Sequence, residues 1–137
     1  METKENETPT DVIKPEVIKP VEVVKSTPEI SYDEFAKVLL RVGLVEEAIK
    51  IEKSEKLLKL KVNLNEETGP RQIVAGLAKR YQAEELIGRR VIIVSNLKPA
   101  KLMGEVSNGM LLAGSDDEGN LELVSVPENI KIGGVVK

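Results

Sequence analysis

PRQIVAGLAKRYQAEELIGRRVIIVSNLKPAKLMGEVSNGMLLAG, residues 70–114, alternates strand-length apolar runs with cations. The apolar runs are residues 73–78, 91–94 and 110–113. Between them stand Arg71, Lys79, Arg80, Arg89, Arg90, Lys98 and Lys101. A small β-rich core with cations in its connections suits a module that grips a phosphate backbone.

Working outward, the segment before this stretch supplies two more strands. Residues 40–52 form a long strand with Gly43 as its expected bend or bulge. In residues 57–64, Leu58, Leu60, Val62 and Leu64 alternate with Lys59, Lys61 and Asn63, so one face is core and the lysines point outward. The third strand is expected at 71–77, the fourth at 89–95 and the fifth at 110–114. A short helix near 83–86, stopped by Gly88, separates the third from the fourth. The apolar run 91–94 reads as a strand covered on both faces. Five short strands with a helix between the third and fourth make an all-β, five-stranded Greek-key barrel of the OB type.

Flanking elements complete the layout. Ser31 and Glu34 have capping-box spacing, and a short N-terminal helix from there to about 39–40 is expected to close one barrel end with Phe35, Val38 and Leu39. Residues 1–29 hold a tandem VIKP-E-VIKP repeat, whose prolines favour extended, PPII-like chain. They read as a Pro-containing tether, or as an edge strand that docks on a partner, with the domain proper spanning 30–137. Residues 121–126 read as a further strand. The apolar end, residues 130–136, needs a cover.

Composition narrows the chemistry. The chain has no Cys and no His, so disulfides, thiolate chemistry, the usual metal ligand and the commonest general base are missing. No carboxylate pair stands out, and residues 104–109, GEVSNG, lack the Lys-Ser/Thr ending of a P-loop. The expectation is a non-catalytic protein without cofactor or metal. The first residues lack a signal-peptide core, and no apolar run has the length of a membrane helix, so a cytoplasmic protein is expected. Net charge is −3, yet residues 53–104 carry eleven basic and five acidic side chains, net +6. Screening over about 10 Å lets such a block act locally. Only Tyr32, Phe35 and Tyr81 are aromatic, and none falls in the second or third strand. A partner RNA would be read by backbone and shape, not by a row of stacked bases.

In residues 95–104, Lys98 and Lys101 bracket Pro99; this is either a solvated loop or a clamp on successive phosphates. In residues 107–110, Ser107 and Asn108 offer hydrogen bonds, Gly109 permits close approach, and Met110 adds apolar contact or simply joins the core.

PRQIVAGLAKRY, EELIGRRVIIVSNLKPAKLMG and SNGMLLA, in this order, closely resemble the tRNA-binding domain attached to many methionyl-tRNA synthetases. The same domain occurs as a free-standing tRNA-binding protein, in the yeast synthetase cofactor and in the endothelial-monocyte-activating polypeptide. The resemblance covers about residues 31–137. It implies an OB-fold that binds tRNA largely by shape, without catalysis, and C-terminal strands that mediate homodimerisation. It also implies a role as the C-terminal domain or beta subunit of a methionyl-tRNA synthetase, raising tRNA affinity for a catalytic domain elsewhere. By motif, the implied tRNA contacts are Arg71, Asn96, Lys98, Lys101, Ser107 and Met110, with Lys56 and Lys59 from the second-strand signature. Where many members carry a His-Pro-containing turn, this chain has IEKSEKL at residues 51–57. The alternatives are a protein-docking scaffold for synthetase assembly and a free-standing tRNA chaperone.

Overall fold

The computed structural model describes residues 26–137. The proposed tether, 1–29, therefore lies almost wholly outside the described residues. Helix α1 spans Tyr32–Phe35, and strands β1 Leu40–Lys50, β2 Leu58–Asn63 and β3 Arg71–Ala75 follow. Helix α2, Ala83–Leu86, precedes β4 Arg90–Val94. Then come β5 Ala100–Leu102, β6 Glu105–Ser107, β7 Met110–Leu111, β8 Ala113–Ser115, β9 Leu121–Leu123 and β10 Val135–Val136.

The main sheet runs β3-β2-β1-β4-β7, all antiparallel. Its two ends approach each other across residues 107–108. Asn108 donates its backbone N–H to Gln72 O (2.8 Å), and Val74 N–H donates to Ser107 Oγ (2.9 Å). These bonds close the barrel that the strand order predicts, and the all-β OB-type fold follows. The interior is filled by the expected alternation: Leu58, Leu60, Val62 and Leu64 are buried together with Ile73, Val91 and Ile93. Each such side chain contributes roughly 1.5–3 kcal/mol on leaving water. The run Val91–Val94 is buried throughout, as a strand covered on both faces should be.

Several expectations are corrected. Gly43 is not the bulge: it pairs regularly with Val91, and the register shift falls between Val45 and Glu47. Gly43 is glycine because a Cβ there would stand 2.5 Å from Val62 Cγ1. The N-terminal helix keeps its capping box, Ser31 Oγ accepting from Glu34 N–H and Glu34 Oε1 from Ser31 N–H. It is only one turn long, however, and buries none of its residues, so it does not close the barrel. The chain beyond it finds other partners: Asn96 Oδ1 accepts from Leu39 N–H (2.9 Å) and Asn96 Nδ2 donates to Lys37 O (2.7 Å). It is α2 that reaches the core, through fully buried Leu86.

Residues 95–104, expected as a loop, instead lead into a hairpin, β5–β6, with Met103 and Gly104 at its tip. The fifth strand divides into β7, on β4, and β8, which pairs with β9. The strand expected over 121–126 shortens to β9 plus a single bridge from Ser125 to Val91. At the C-terminus, β10 pairs with the start of β1, Leu40 opposite Val136, and Gly133 N–H donates to Val42 O (2.7 Å). The apolar end thus finds part of its cover within its own chain.

Candidate nucleic-acid interface

The basic block divides by residue type. All five arginines donate to protein acceptors. Arg71 forms a bidentate pair with Glu66 (Nε–Oε1 2.9 Å, Nη2–Oε2 2.8 Å), and its Nη1 donates to Ser95 O (2.7 Å) and Asn108 O (3.2 Å). Arg80 pairs with Glu122 (2.7 Å) and reaches Leu121 O, while Arg89 donates to Glu85 O and Arg90 to Ile130 O. Arg41 donates to Gly133 O. The guanidiniums of Arg80 and Arg89 also lie 4.5 and 5.1 Å from the centre of the buried Tyr81 ring. Tyr81 itself donates its hydroxyl to Glu122 and accepts from Leu123 N–H.

Lysines behave differently. Lys53, Lys56, Lys61, Lys79, Lys98 and Lys101 are exposed. Among described residues, Lys59 is the lysine held in an ion pair, with Glu105 at 3.5 Å. A planar fork with five donors suits bridging carbonyls and carboxylates, whereas an ammonium is a hydrated point charge. The arginines therefore lock the barrel, and the lysines supply its outward potential.

Hydrogen bonding also fixes where the candidate contacts stand. Arg71 joins the ends of β3, β4 and the approach to β7, so Arg71, Asn96, Ser107 and Met110 gather on one rim. Of these, Met110 is half-exposed and Asn96 exposed, but Asn96 spends its amide on Lys37 and Leu39. Ser107 is buried, accepting from Val74 N–H and donating to Gly109 O (3.0 Å). Arg71 keeps one N–H beyond its four bonds. Hydrogen bonding to the Arg71 guanidinium also holds the Glu66 carboxyl below its ordinary pKa, against the opposing effect of burial.

From this rim the hairpin crosses β3, where Gln72 Nε2 donates to Val106 O (2.9 Å). Lys101 sits opposite Val106 on it, and Lys98 lies just before it. Lys59 is tied to the hairpin through Glu105. Lys56 is not brought to the rim: it lies before Leu58, the end of β2 that pairs with Ala75, not with Arg71.

Between the hairpin tip and residues 51–57 lies a groove of about 320 Å³ that sequence reasoning missed. Ile49, Lys50, Lys53, Lys59, Met103 and Glu105 line it. The irregularity at Val45–Glu47 turns Ile49 outward beside Lys59, its register partner. Among the described residues no cluster of three or more carboxylates is placed to hold a metal.

A closed antiparallel barrel locked by arginines, with solvated lysines along its hairpin and strand face, has the architecture of a polyanion-holding module. Residues 40–134 match the family described as "Putative tRNA binding domain", and the chain belongs to that family. It is 53% identical over 109 residues to a methionine–tRNA ligase of Methanocaldococcus jannaschii, a match covering 80% of this chain and 16% of that protein. The chain thus spans about a sixth of the length of the curated relatives it matches. A MetRS-related protein from Pyrococcus horikoshii superposes with a TM-score of 0.77 at 40% identity, over 81% of this chain and 100% of that one. The chaperone CsaA of Bacillus anthracis superposes with a TM-score of 0.71 at 25% identity, over 80% and 100%. No helix among the described residues is long and apolar enough to cross a membrane.

Proposed function

We propose that this domain binds tRNA without catalysis, by shape and phosphate backbone, as an appended domain or subunit of a cytoplasmic methionyl-tRNA synthetase. The observation that carries this reading is the separation of roles among the cations: arginines are consumed by the fold, whereas most lysines are left to solvent, Lys98 and Lys101 at the β5–β6 hairpin and Lys61 on the outer face of β2 among them. Tethered to a catalytic domain, such a site raises the local concentration of tRNA, so aminoacylation at low tRNA gains most. Lys98 and Lys101 are the contacts assigned the largest electrostatic share. The 137-residue chain, titrated in a filter-binding assay over a salt series, should prefer folded tRNA to an unstructured RNA. Changing Lys98 and Lys101 together to Ala should weaken tRNA binding by about tenfold at low salt and reduce the slope of log K against log salt by about 1.5–2. Equal affinity for both RNAs, or an unaltered slope in the double variant, rejects the reading.

The active form is a homodimer. Phe35, Val38, Leu39, Leu97 and Val135 are apolar side chains left at 39–62% exposure around the start of β1 and along β10. Asn96 ties Leu39 to the segment carrying Leu97, and Val136 pairs with Leu40, so these residues adjoin one another. A second copy is the cover that symmetry supplies most simply. Sedimentation should give a dimer for the native chain and a monomer for Val135→Asp; a native monomer removes this part of the proposal. The chain's match to the whole of the crystallised MetRS-related and CsaA chains favours one alternative, a free-standing tRNA chaperone.

A further inference from the structure

We infer that the groove between residues 51–57 and the tip of the β5–β6 hairpin receives a single unpaired nucleotide of the bound RNA. This rests on the tRNA-binding reading and adds to it a place where the RNA is read by something other than contour. Two apolar side chains line the groove from opposite elements: Ile49 on β1, 54% exposed, and Met103 at the hairpin tip, 52% exposed. Lys50, Glu52, Lys53 and Lys59 stand around them, Lys59 paired with Glu105. Apolar walls with Lys50 and Lys53 at the edge complement a base carrying its own phosphate. At about 320 Å³ the space is at the small end of the range for ligand pockets, ~300–1,000 Å³. A space of that size suits one nucleotide. Glu105 adds an acceptor: its Oε1 is shared by Lys59 and Gln72, and no described donor engages Oε2.

Met103 supplies an independent observation. With Leu102 paired to Glu105, residues 103–104 are a two-residue loop, and both have positive φ, 50° for Met103 and 82° for Gly104. A loop of that kind favours Asn-Gly, because asparagine tolerates the left-handed region and a bulky side chain does not. A methionine held there sacrifices turn stability and places an adaptable, polarisable side chain over the groove.

Met103→Asn separates the two roles. As a turn residue, asparagine is an improvement, so this variant should melt no lower than the native chain. As a groove wall it is poorer, so tRNA affinity should fall by about fivefold, the loss of some tens of Å² of apolar contact. Ile49→Thr, which keeps a β-branched residue in the strand, should weaken tRNA to a similar degree. Binding of a blunt RNA duplex with no unpaired base should be the same for all three chains. The inference is overturned if both variants bind tRNA as the native chain does, or if duplex binding falls equally. It is also overturned if a short apolar peptide displaces tRNA from the native chain but not from the variants, which would make the groove a peptide site. A native chain that binds no tRNA at all rejects the parent reading, and this inference with it.

Discussion

Gly43→Ala should destabilise the domain by about 1–3 kcal/mol, the cost of overfilling a packed core. In thermal melts that is a fall of about 4–8 °C per kcal/mol for a domain near this size. The expectation runs against local propensity, since alanine in a strand interior is ordinarily better than glycine by roughly 0.5–1 kcal/mol. The sign is decided by space. An added Cβ would meet Val62 Cγ1 at 2.5 Å, Leu64 Cδ2 at 3.0 Å and Ile93 Cγ1 at 3.3 Å. Val62 is fully buried between Leu60 and Leu64 on β2, so relief requires β1 to move away from β2, its hydrogen-bonded neighbour. The partner test is Gly43→Ala with Val62→Ala, which removes the obstructing methyl. The double variant should be more stable than the sum of the two losses predicts, because the second change makes room for the first. Strictly additive losses, or a Gly43→Ala chain melting with the native one, would mean the barrel interior has slack at this point.

The same residue illustrates what could be seen in the sequence. A glycine in a long apolar strand signals that something unusual happens to the backbone, but it does not say whether the chain bends or is approached. The answer depended on Val62 and Val91, residues from two other strands. What rests on local pattern was legible: the alternation of Leu58 to Leu64 with lysines between, the continuous apolar run Val91–Val94 of a doubly covered strand, and the turn of helix before Gly88. The irregularity at Val45–Glu47 was not legible. One extra residue exchanges inner for outer face, and nothing in VEEAIK marks where it is inserted. Ile49 consequently emerges as a groove wall. The β5–β6 hairpin was hidden for a related reason. Its Met-Gly tip lacks the Asn or Asp that announces such a turn, and Pro99 pointed to a loop.

The candidate contacts were legible as a neighbourhood and less so as roles. Ser107 and Asn108 stood out as polar residues beside a glycine, and they do stand at the rim. Yet Ser107 is buried, and its hydroxyl completes the barrel seam with Val74. A seam of this kind joins residues 33 positions apart, and no local pattern predicts it. Arginine and lysine were counted together as positive charge, although only their surroundings decide which binds carbonyls and which stays in water.

Arg71 is where that distinction has its largest consequence. Arg71→Met should cost about 2–4 kcal/mol, below the 3–5 kcal/mol typical of a fully buried pair because Glu66 remains partly in water. Methionine retains much of the apolar stem, so the loss is chiefly that of the guanidinium. Without it, Ser95 O and Asn108 O lose a shared donor, and Glu66 is left as a half-buried carboxylate without its cation. Acid should reveal the pair. Glu66 has a folded-state pKa below its unfolded one, mainly through its hydrogen bond to Arg71. Its contribution is therefore complete above the ordinary carboxylate value and disappears as pH falls through the lowered one. The native chain should lose stability across that acid interval more steeply than Arg71→Met, in which the interval is empty of this effect. RNA binding then separates fold from contact. Measured at a temperature where both chains are folded, Arg71→Met should retain the native salt slope, because the guanidinium is already neutralised by Glu66, whereas the Lys98 and Lys101 double variant should not. An Arg71→Met chain with native melting temperature and a reduced slope would reverse the assignment, turning a clamp between three strands into a phosphate contact.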